Sequence, residues 1–245
     1  MKLRNPSSRF KLNIPNGAKV LDVGSGHNPH PRANVITDKF VSDNFHRSDN
    51  IRVIKNQKFI EADGERLPFE DKEFDYVICC HVIEHVENPE KFVNELCRVG
   101  KSGYLEAPSL IGEFLVPKQS HKWVLLEIDE KIVIMDKEKI GLKNSHDFGF
   151  LFLDHLPGHS LGFKILQRTQ PQVLNVAYEW RDSIEILVNP SDQKYIDYFT
   201  KPWSPDMYES VIPHRGLLRE VVSATSATFD IAKSVFRSRV LQRSK

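Results

Sequence analysis

The stretch VLDVGSGHNPHPRANVITDKF, residues 20 to 40, decides the fold class. The apolar run over residues 18–23 predicts a strand, which passes through Asp22 into Gly24-Ser25-Gly26. Glycines after a strand allow a ligand to lie against the backbone, where a side chain would clash. The stretch therefore predicts the first turn of a nucleotide-binding α/β fold.

The loop after this turn lacks the helix that usually follows. Pro29 and Pro31 remove backbone donors and disfavour helical backbone at the residues that precede them. We therefore expect a shortened first crossover, a loop or a single turn. A pyrophosphate binds at a helix N-terminus, so the stretch disfavours an NAD-dependent dehydrogenase and fits a ligand without phosphate.

The rest of the first hundred residues alternates between strand-like segments and crossovers. Further strands are predicted at residues 33–38, 58–63, 73–80 and 102–108. Asn88, Pro89 and Gly100 mark a predicted helix as its N-cap, its first residue and its stop. This alternation is typical of a mostly parallel, Rossmann-like α/β sheet.

Acidic residues stand at the ends of two predicted strands. Asp38 ends the second strand and Asp63 ends the third. Ligands of open α/β sheets lie beyond the carboxyl ends of the strands. We therefore expect Asp38 to accept hydrogen bonds from ribose hydroxyls and Asp63 to accept one from an adenine amino group.

Residues 18–110 resemble the class I S-adenosylmethionine-dependent methyltransferases, in particular the methyltransferase type 11 group. The matching motifs are VLDVGSG, DGERLPFEDKEFDYVICCHVIEHVENPEKFVNEL and GYLEAPS, with the acidic Asp38 between the first two. The resemblance implies S-adenosylmethionine as cofactor, with its methionine part over the glycine turn and its sulfonium beside the fourth strand. The predicted cofactor-binding residues are Asp22, Gly24, Ser25, Gly26, Asp38, Asp63, Gly64, Glu65 and His81.

S-adenosylmethionine has no phosphate, which agrees with the shortened crossover. Its carboxylate needs a partner in place of the missing helix N-terminus. We expect N–H groups of the loop to supply it, helped by His27, His30 or Arg32.

Two hairpins are predicted after Pro108. Their strands are WVLLEI (123–128) with KIVIMD (131–136), and VLNVAYEW (173–180) with SIEILV (183–188). We expect one hairpin to finish the sheet as an antiparallel edge and the other to belong to an insertion near the site. The insertion, a lid over about residues 109–170, is expected to hold loops and short helix between 137 and 170.

A single methyltransferase domain is predicted over residues 1–214, followed by a basic amphipathic helix over 215–245. Apolar residues recur there at steps of three or four from Leu218 to Val240, and seven basic residues stand against two acidic ones. Packing of this helix on the body is the main expectation. Contact with a membrane surface or a partner is the alternative.

Composition limits the partners and the location. A net charge of +1 and the lack of a basic groove with interleaved aromatics predict no nucleic-acid binding. No run approaches the roughly 18 apolar residues of a membrane span, and we find no signal peptide. Cys79, Cys80 and Cys97 do not suggest a disulfide framework. We expect a cytoplasmic protein, and the sequence does not indicate its oligomeric state.

The histidines near the predicted site are candidate catalytic residues. Methyl transfer is an in-line displacement, in which the protein aligns the nucleophile and excludes water. A general base is needed only for a hydroxyl or a protonated amine. His121, His81 and His85 are the predicted catalytic residues, with Glu113 to orient His121 or the acceptor. We expect transfer to an oxygen or nitrogen of a small-molecule or sugar-containing acceptor, such as a glycan precursor.

A metal-assisted reaction is one alternative. His81-Val-Ile-Glu84-His85, completed by His121 or His146, offers metal ligands. The block is similar to the E-x-x-E-H block of small-RNA 3′-end methyltransferases, which use a divalent metal. His81 replaces the first acid of that block, and no metal is assigned here. Zn²⁺ or Mn²⁺ would tolerate the imidazole better than Mg²⁺.

A non-enzymatic scaffold is the other alternative. A methyltransferase-like fold that has lost catalysis would dock through its basic tail. Asp38 and Asp63 argue against this alternative, because a scaffold has no use for both carboxylates.

Overall fold

A seven-stranded sheet forms the centre of the chain, whose computed structural model describes residues 1–41, 49–143 and 146–243. The strand order is β1-β9-β6-β5-β2-β3-β4. The strands are β1 (Lys2–Arg4), β2 (Val20–Val23), β3 (Val35–Asp38), β4 (Lys58–Glu61), β5 (Tyr76–Cys80), β6 (Ser102–Pro108) and β9 (Asn175–Arg181).

The sheet is mostly parallel, which confirms the predicted fold class. Strands β4, β3, β2, β5 and β6 are parallel neighbours, and β9 runs antiparallel to β6. The edge beyond β9 is β1, which sequence analysis missed because three residues show too little alternation. The central strands are buried on both faces, as their continuous apolar runs predicted.

A second sheet has three strands in the order β10-β8-β7. Its strands are β7 (Trp123–Ile128), β8 (Lys131–Asp136) and β10 (Ile186–Val188). The first predicted hairpin is confirmed, since β7 and β8 pair antiparallel. The small sheet and the main sheet share one apolar core, in which Leu125 and Ile134 pack with Trp180.

The second predicted hairpin is wrong, although the main sheet does end in antiparallel strands, β9 and β1. Strand β9 lies between β6 and β1, so it has no free edge for β10. The chain turns after Arg181 with a positive φ at Asp182, and β10 then pairs parallel with β8. The two apolar runs were read as strands correctly, but their partners lie in different sheets.

Seven α-helices lie within the described part of the chain. They are α1 (Pro89–Val99), α2 (Leu110–Leu115), α3 (Leu156–His159), α4 (Leu161–Thr169), α5 (Gln193–Thr200), α6 (Pro205–Val211) and α7 (Leu217–Arg243). The Asn88 side chain accepts the N–H of Lys91, and the helix ends at Gly100, as predicted. Helix α1 covers one face of the main sheet through Phe92 and Leu96.

The opposite face of the main sheet is covered by the N-terminal segment, residues 7–18. Leu12, Ile14 and Ala18 pack against Tyr76 and Tyr104. This segment stands where a doubly wound fold carries a helix layer. The first crossover contains no helix in its described part, 24–34, which confirms the prediction drawn from the prolines.

The lid region contains more helix than the sequence indicated. After β8, a π-helical turn at Leu151–His155 continues into α3, and α4 follows. The C-terminal helix α7 contacts α4 and buries Ala227 and Ile231. The apolar stripe of Leu218, Val222, Phe229 and Phe236 is mostly exposed, so a different stripe packs on the body. The basic side chains from 237 onward lie outside the described side chains.

Candidate active site

A cleft opens at the carboxyl ends of β2, β3 and β5, next to the start of α1. It contains most of the residues predicted to bind the cofactor or to act in catalysis: Gly24, Asp38, Asp63, Gly64, Glu65, His81 and His85. Asp22, Ser25, Gly26 and His121 stand outside its lining. Phe40, Val82, Val86 and Phe92 give the cleft apolar walls.

Asp38 is buried at the end of β3 and holds the glycine turn. Its Oδ2 accepts the N–H of Gly26 at 3.2 Å, and its Oδ1 accepts the N–H of Phe40 at 3.0 Å. Two backbone groups therefore fix the carboxylate in the floor of the cleft. This is the position in which a ribose would meet it.

Asp63 lies across the cleft in an ion pair with Lys39. The Lys39 Nζ is 2.7 Å from Asp63 Oδ2, and the N–H of Glu65 donates to Oδ1 at 2.9 Å. Desolvation alone would raise the pKa of Asp63, but these partners hold it below its usual range. Glu65 itself accepts the N–H groups of Glu87 and Asn88, so its carboxylate braces the start of α1.

Gly24 is required by two features of the turn. Its φ is +65°, and an added Cβ would lie 2.3 Å from a methyl carbon of Val82. Gly64 is similarly close to Phe92, whose ring carbon would be 2.4 Å from an added Cβ. Both glycines thus bring the backbone against the apolar wall of the cleft.

Asp22 lies behind the glycine turn, where it holds the first crossover. Its Oδ2 accepts the N–H of His30 at 2.7 Å and stands 3.5 Å from the Arg9 guanidinium. Desolvation raises the pKa of Asp22 to about 6, although Arg9 and the His30 N–H act in the opposite direction. Ser25 is also buried.

The loop candidates for the cofactor carboxylate differ in their positions. The His30 ring is buried, stacks on Phe10 and contacts the carbonyl of Arg9, and burial lowers its pKa to about 4. Arg32 donates to the carbonyl of Pro15 at 2.7 Å. His27 and Arg32 are both exposed, in contrast to His30.

His81 begins the segment after β5 with a φ of 57°. Its Nε2 is 3.2 Å from Glu106 and its Nδ1 is 3.5 Å from Glu84. Desolvation lowers the pKa of His81, but the two carboxylates outweigh it and raise the pKa to about 10. At neutral pH the ring is therefore an imidazolium, which disfavours His81 as a proton acceptor.

His85 lines the cleft, and His121, which is outside the lining, packs against it. Their rings are 4.7 Å apart and nearly perpendicular. The His85 Nδ1 donates to the carbonyl of Ser120 at 3.0 Å, and the His121 Nδ1 donates to Glu113 at 2.6 Å. Glu113 orients His121, as expected, and Lys137 contacts the same carboxylate at 2.6 Å.

Sequence analysis missed three side chains near the site. Glu106 contacts His81, Lys39 pairs with Asp63, and Arg9 pairs with Asp22. Glu106 carried a signal, since it is the one charged residue of a strand that is otherwise apolar or small. Arg9 carried none, because it stands in a segment without a motif, and Lys39 follows Asp38 directly but has no spacing that links it to Asp63.

Known proteins resemble the chain over the same region. The Methyltransferase domain family, type 11, matches residues 21–105. An uncharacterised protein of Methanocaldococcus jannaschii is 31% identical over 145 residues, which cover 55% of this chain and 69% of that protein.

Two named enzymes are more distant relatives. The norajmaline N-methyltransferase of Rauvolfia serpentina is 31% identical over 53% of this chain and 46% of the enzyme. The malonyl-[acyl-carrier protein] O-methyltransferase of a Marinomonas species is 27% identical over 46% of this chain and 45% of the enzyme. The chain thus spans about half the length of each enzyme. It belongs to the class I S-adenosylmethionine-dependent methyltransferases, whose cosubstrate is S-adenosylmethionine.

Proposed function

We propose that this member of the class I methyltransferases transfers a methyl group from S-adenosylmethionine to an oxygen or nitrogen of a small-molecule or sugar-containing acceptor. The observation that carries the proposal is the cleft at the strand ends, which combines Gly24, Asp38 and Asp63. Two carboxylates face a close-packed glycine turn there, and this arrangement suits a nucleoside with an attached amino acid.

The residues of the cleft fit the parts of the cofactor. Asp38 would accept the ribose hydroxyls, and Asp63 with Gly64 would hold the adenine edge. Gly24 presents backbone to the methionine part. S-adenosylmethionine supplies a methyl group that its sulfonium makes electrophilic.

Arg9 is the side chain that we assign to the cofactor carboxylate. Its Nε is buried and has no hydrogen-bond partner among the described residues. It lies beside Asp22, which holds the first crossover. A guanidinium there supplies the positive charge that a helix N-terminus would otherwise provide.

In this proposal the chain mainly aligns the acceptor with the methyl group and excludes water, and it transfers protons less. Val82, Val86 and Phe92 form the apolar wall that keeps water from the reacting groups. We propose that the helices of residues 109–170 close over this wall as a lid. The acceptor then approaches along the side of His81 and His85.

The named relatives favour small acceptors of both kinds. Their printed names describe methylation of a nitrogen in norajmaline and of an oxygen in a malonyl group on a carrier protein. The acceptor atom of this chain is therefore proposed as oxygen or nitrogen. Within the part of the chain that the structure describes, every helix is too short or too polar to cross a membrane.

Calorimetric titration with S-adenosylmethionine and S-adenosylhomocysteine tests the proposal. We expect both to bind wild-type protein, and Asp38→Ala to weaken binding at least tenfold, since a charged group loses its hydroxyl partners. Asp192→Ala is the matched control, because that carboxylate caps α5 far along the chain. If the folded wild-type protein binds neither ligand, the proposed enzyme function is contradicted and a scaffold function is favoured.

Product analysis then identifies the acceptor atom. Methyl transfer from labelled S-adenosylmethionine is measured with amines, alcohols and sugar derivatives. Mass spectrometry of each product shows whether an oxygen or a nitrogen carries the methyl group. Transfer to carbon alone would contradict the proposed acceptor class.

A further inference from the structure

We propose that Glu84, His85 and His121 form a binding site for a divalent metal that accepts mixed imidazole and carboxylate ligands, Zn²⁺ in first place and Mn²⁺ as the alternative. One ligand atom from each side chain lies within 4.8 Å of the other two. The site is separate from the residues assigned to the cofactor, and the proposal does not depend on methyl transfer.

The two imidazole rings are already oriented for this role. In each ring the Nδ1–H group donates a hydrogen bond away from the proposed metal position. The acceptor is the carbonyl of Ser120 for His85 and the carboxylate of Glu113 for His121. A bond to Nδ1–H fixes the tautomer that leaves Nε2 as the metal-binding atom. Glu113 is itself buried and forms an ion pair with Lys137, which fixes the carboxylate that orients the His121 ring.

Glu84 supplies the third ligand from a buried position. The residue is 1% exposed, and neither carboxylate oxygen has a hydrogen-bond partner within the described ranges. Its nearest ionisable neighbours are the His81 Nδ1 at 3.5 Å and the His121 Nε2 at 4.0 Å, both farther away than the roughly 2.0–2.2 Å of a metal–carboxylate bond. A buried carboxylate without hydrogen bonds is costly unless a cation compensates for it.

To bind one metal ion, the three ligand atoms need to move only slightly closer together. Ligand atoms about 2.0–2.1 Å from a tetrahedral metal are about 3.3 Å apart. The three atoms within 4.8 Å therefore need shifts of roughly an ångström, which side-chain rotation supplies. Glu84 and His85 are adjacent on the 3₁₀ turn Ile83–His85, and His121 arrives just before β7, so two chain segments form the site.

Two imidazoles and one carboxylate suit a borderline divalent ion better than Mg²⁺ or Ca²⁺. Three protein ligands leave a coordination position for another group. His85 also lines the cleft, so that position is available to an oxygen of the acceptor. A metal bound there would lower the pKa of an acceptor hydroxyl and reduce the need for a histidine base.

Metal binding is tested on protein purified without an affinity tag, by elemental analysis and by titration of chelator-treated protein with Zn²⁺ and Co²⁺. We expect one metal ion per chain, a visible Co²⁺ spectrum typical of nitrogen and oxygen ligands, and a higher Tm on Zn²⁺ addition. Glu113→Gln should weaken the affinity by about 10–100-fold. His121→Ala and Glu84→Gln, which remove a ligand, should weaken it further.

The control addresses the other close histidine pair. His155 and His159 stack four residues apart on exposed helix, and this pair could bind metal adventitiously. His159→Ala should leave the stoichiometry, the spectrum and the Tm shift unchanged. Loss of binding in His159→Ala, or retention of full affinity in both Glu113→Gln and His121→Ala, overturns the proposal. Circular dichroism of each variant shows that the chain is folded, and His85→Gln replaces any variant that is not.

Discussion

Arg9 shows how a residue outside every motif comes to lie beside Asp22, behind the glycine turn. The sequence directed attention to His27, His30 and Arg32, because they follow the glycine turn. In the fold, His30 is buried and Arg32 donates to Pro15, while Arg9 reaches Asp22 from the N-terminal segment. The charge next to the turn therefore comes from a segment distant in sequence.

Arg9→Met is expected to weaken S-adenosylmethionine binding about tenfold, because a charged hydrogen bond to the cofactor carboxylate is lost. Arg32→Ala should leave the affinity unchanged, since that guanidinium is engaged at Pro15. Both affinities are measured by calorimetry.

The ligand 5′-methylthioadenosine provides the control, because it keeps adenine and ribose but lacks the amino acid. Arg9→Met should bind it as tightly as wild type does. Equal weakening for both ligands would mean that Arg9 acts through general stability and not through the carboxylate.

At the scale of elements, the turn after β2 depends on a glycine for space as well as for backbone angle. Gly24→Ala should lower the free energy of unfolding by about 2–4 kcal/mol, from a positive φ and from overlap with Val82. Gly17→Ala is the matched control. Its φ is +74°, but nothing lies within 4 Å of an added Cβ, so it should cost only about 1 kcal/mol.

Denaturant unfolding measures both costs. Adding Val82→Ala to Gly24→Ala should recover part of the loss by making space for the new methyl group. If Gly24→Ala and Gly17→Ala cost the same, contact with Val82 is not a constraint on this turn.

The elements themselves were largely readable from sequence, and their partners were not. Strands β2 to β6 were predicted because apolar runs and turn residues are local signals. The second hairpin was predicted wrongly, because alternation at β9 and β10 does not tell which strand each one meets. Asp38 and Asp63 both follow strands in the sequence and both line the cleft, whereas the buried position of Glu84 has no local signal in the sequence.

At the scale of the whole molecule, Asp22 and His30 give opposite contributions to the pH dependence of folding. Asp22 has its pKa raised to about 6 in the fold, so its contribution to stability falls as pH rises from about 4 to 6. His30 has its pKa lowered to about 4, so its contribution is lost as pH falls from 6.5 to 4. The two effects largely cancel in the intact chain.

Separate variants should reveal how Asp22 and His30 each change the free energy of unfolding with pH. Relative to wild type, Asp22→Asn should gain up to about 3 kcal/mol of unfolding free energy between pH 4 and pH 6.5. Relative to wild type, His30→Gln should gain unfolding free energy as the pH falls from 6.5 towards 4, by a similar amount. Urea unfolding at several pH values measures both.

His27→Gln, a change on the exposed side of the same loop, is the control and should follow the wild-type profile. Profiles of Asp22→Asn and His30→Gln that run parallel to wild type would show that neither group titrates differently in the folded and unfolded chain.

The edge strand β1 has a consequence for the order of folding. Lys2 pairs with Trp180, so β1 can join the sheet only after β9, which lies far along the chain, is in place. Closing so long a loop is slow, and until then the outer edge of β9 is open to pairing with other chains. The segment that follows β1 carries Arg9. Docking of β1 on β9 and the arrival of this charge beside Asp22 are therefore coupled, so a chain whose outer strand is detached also loses the Arg9 contact.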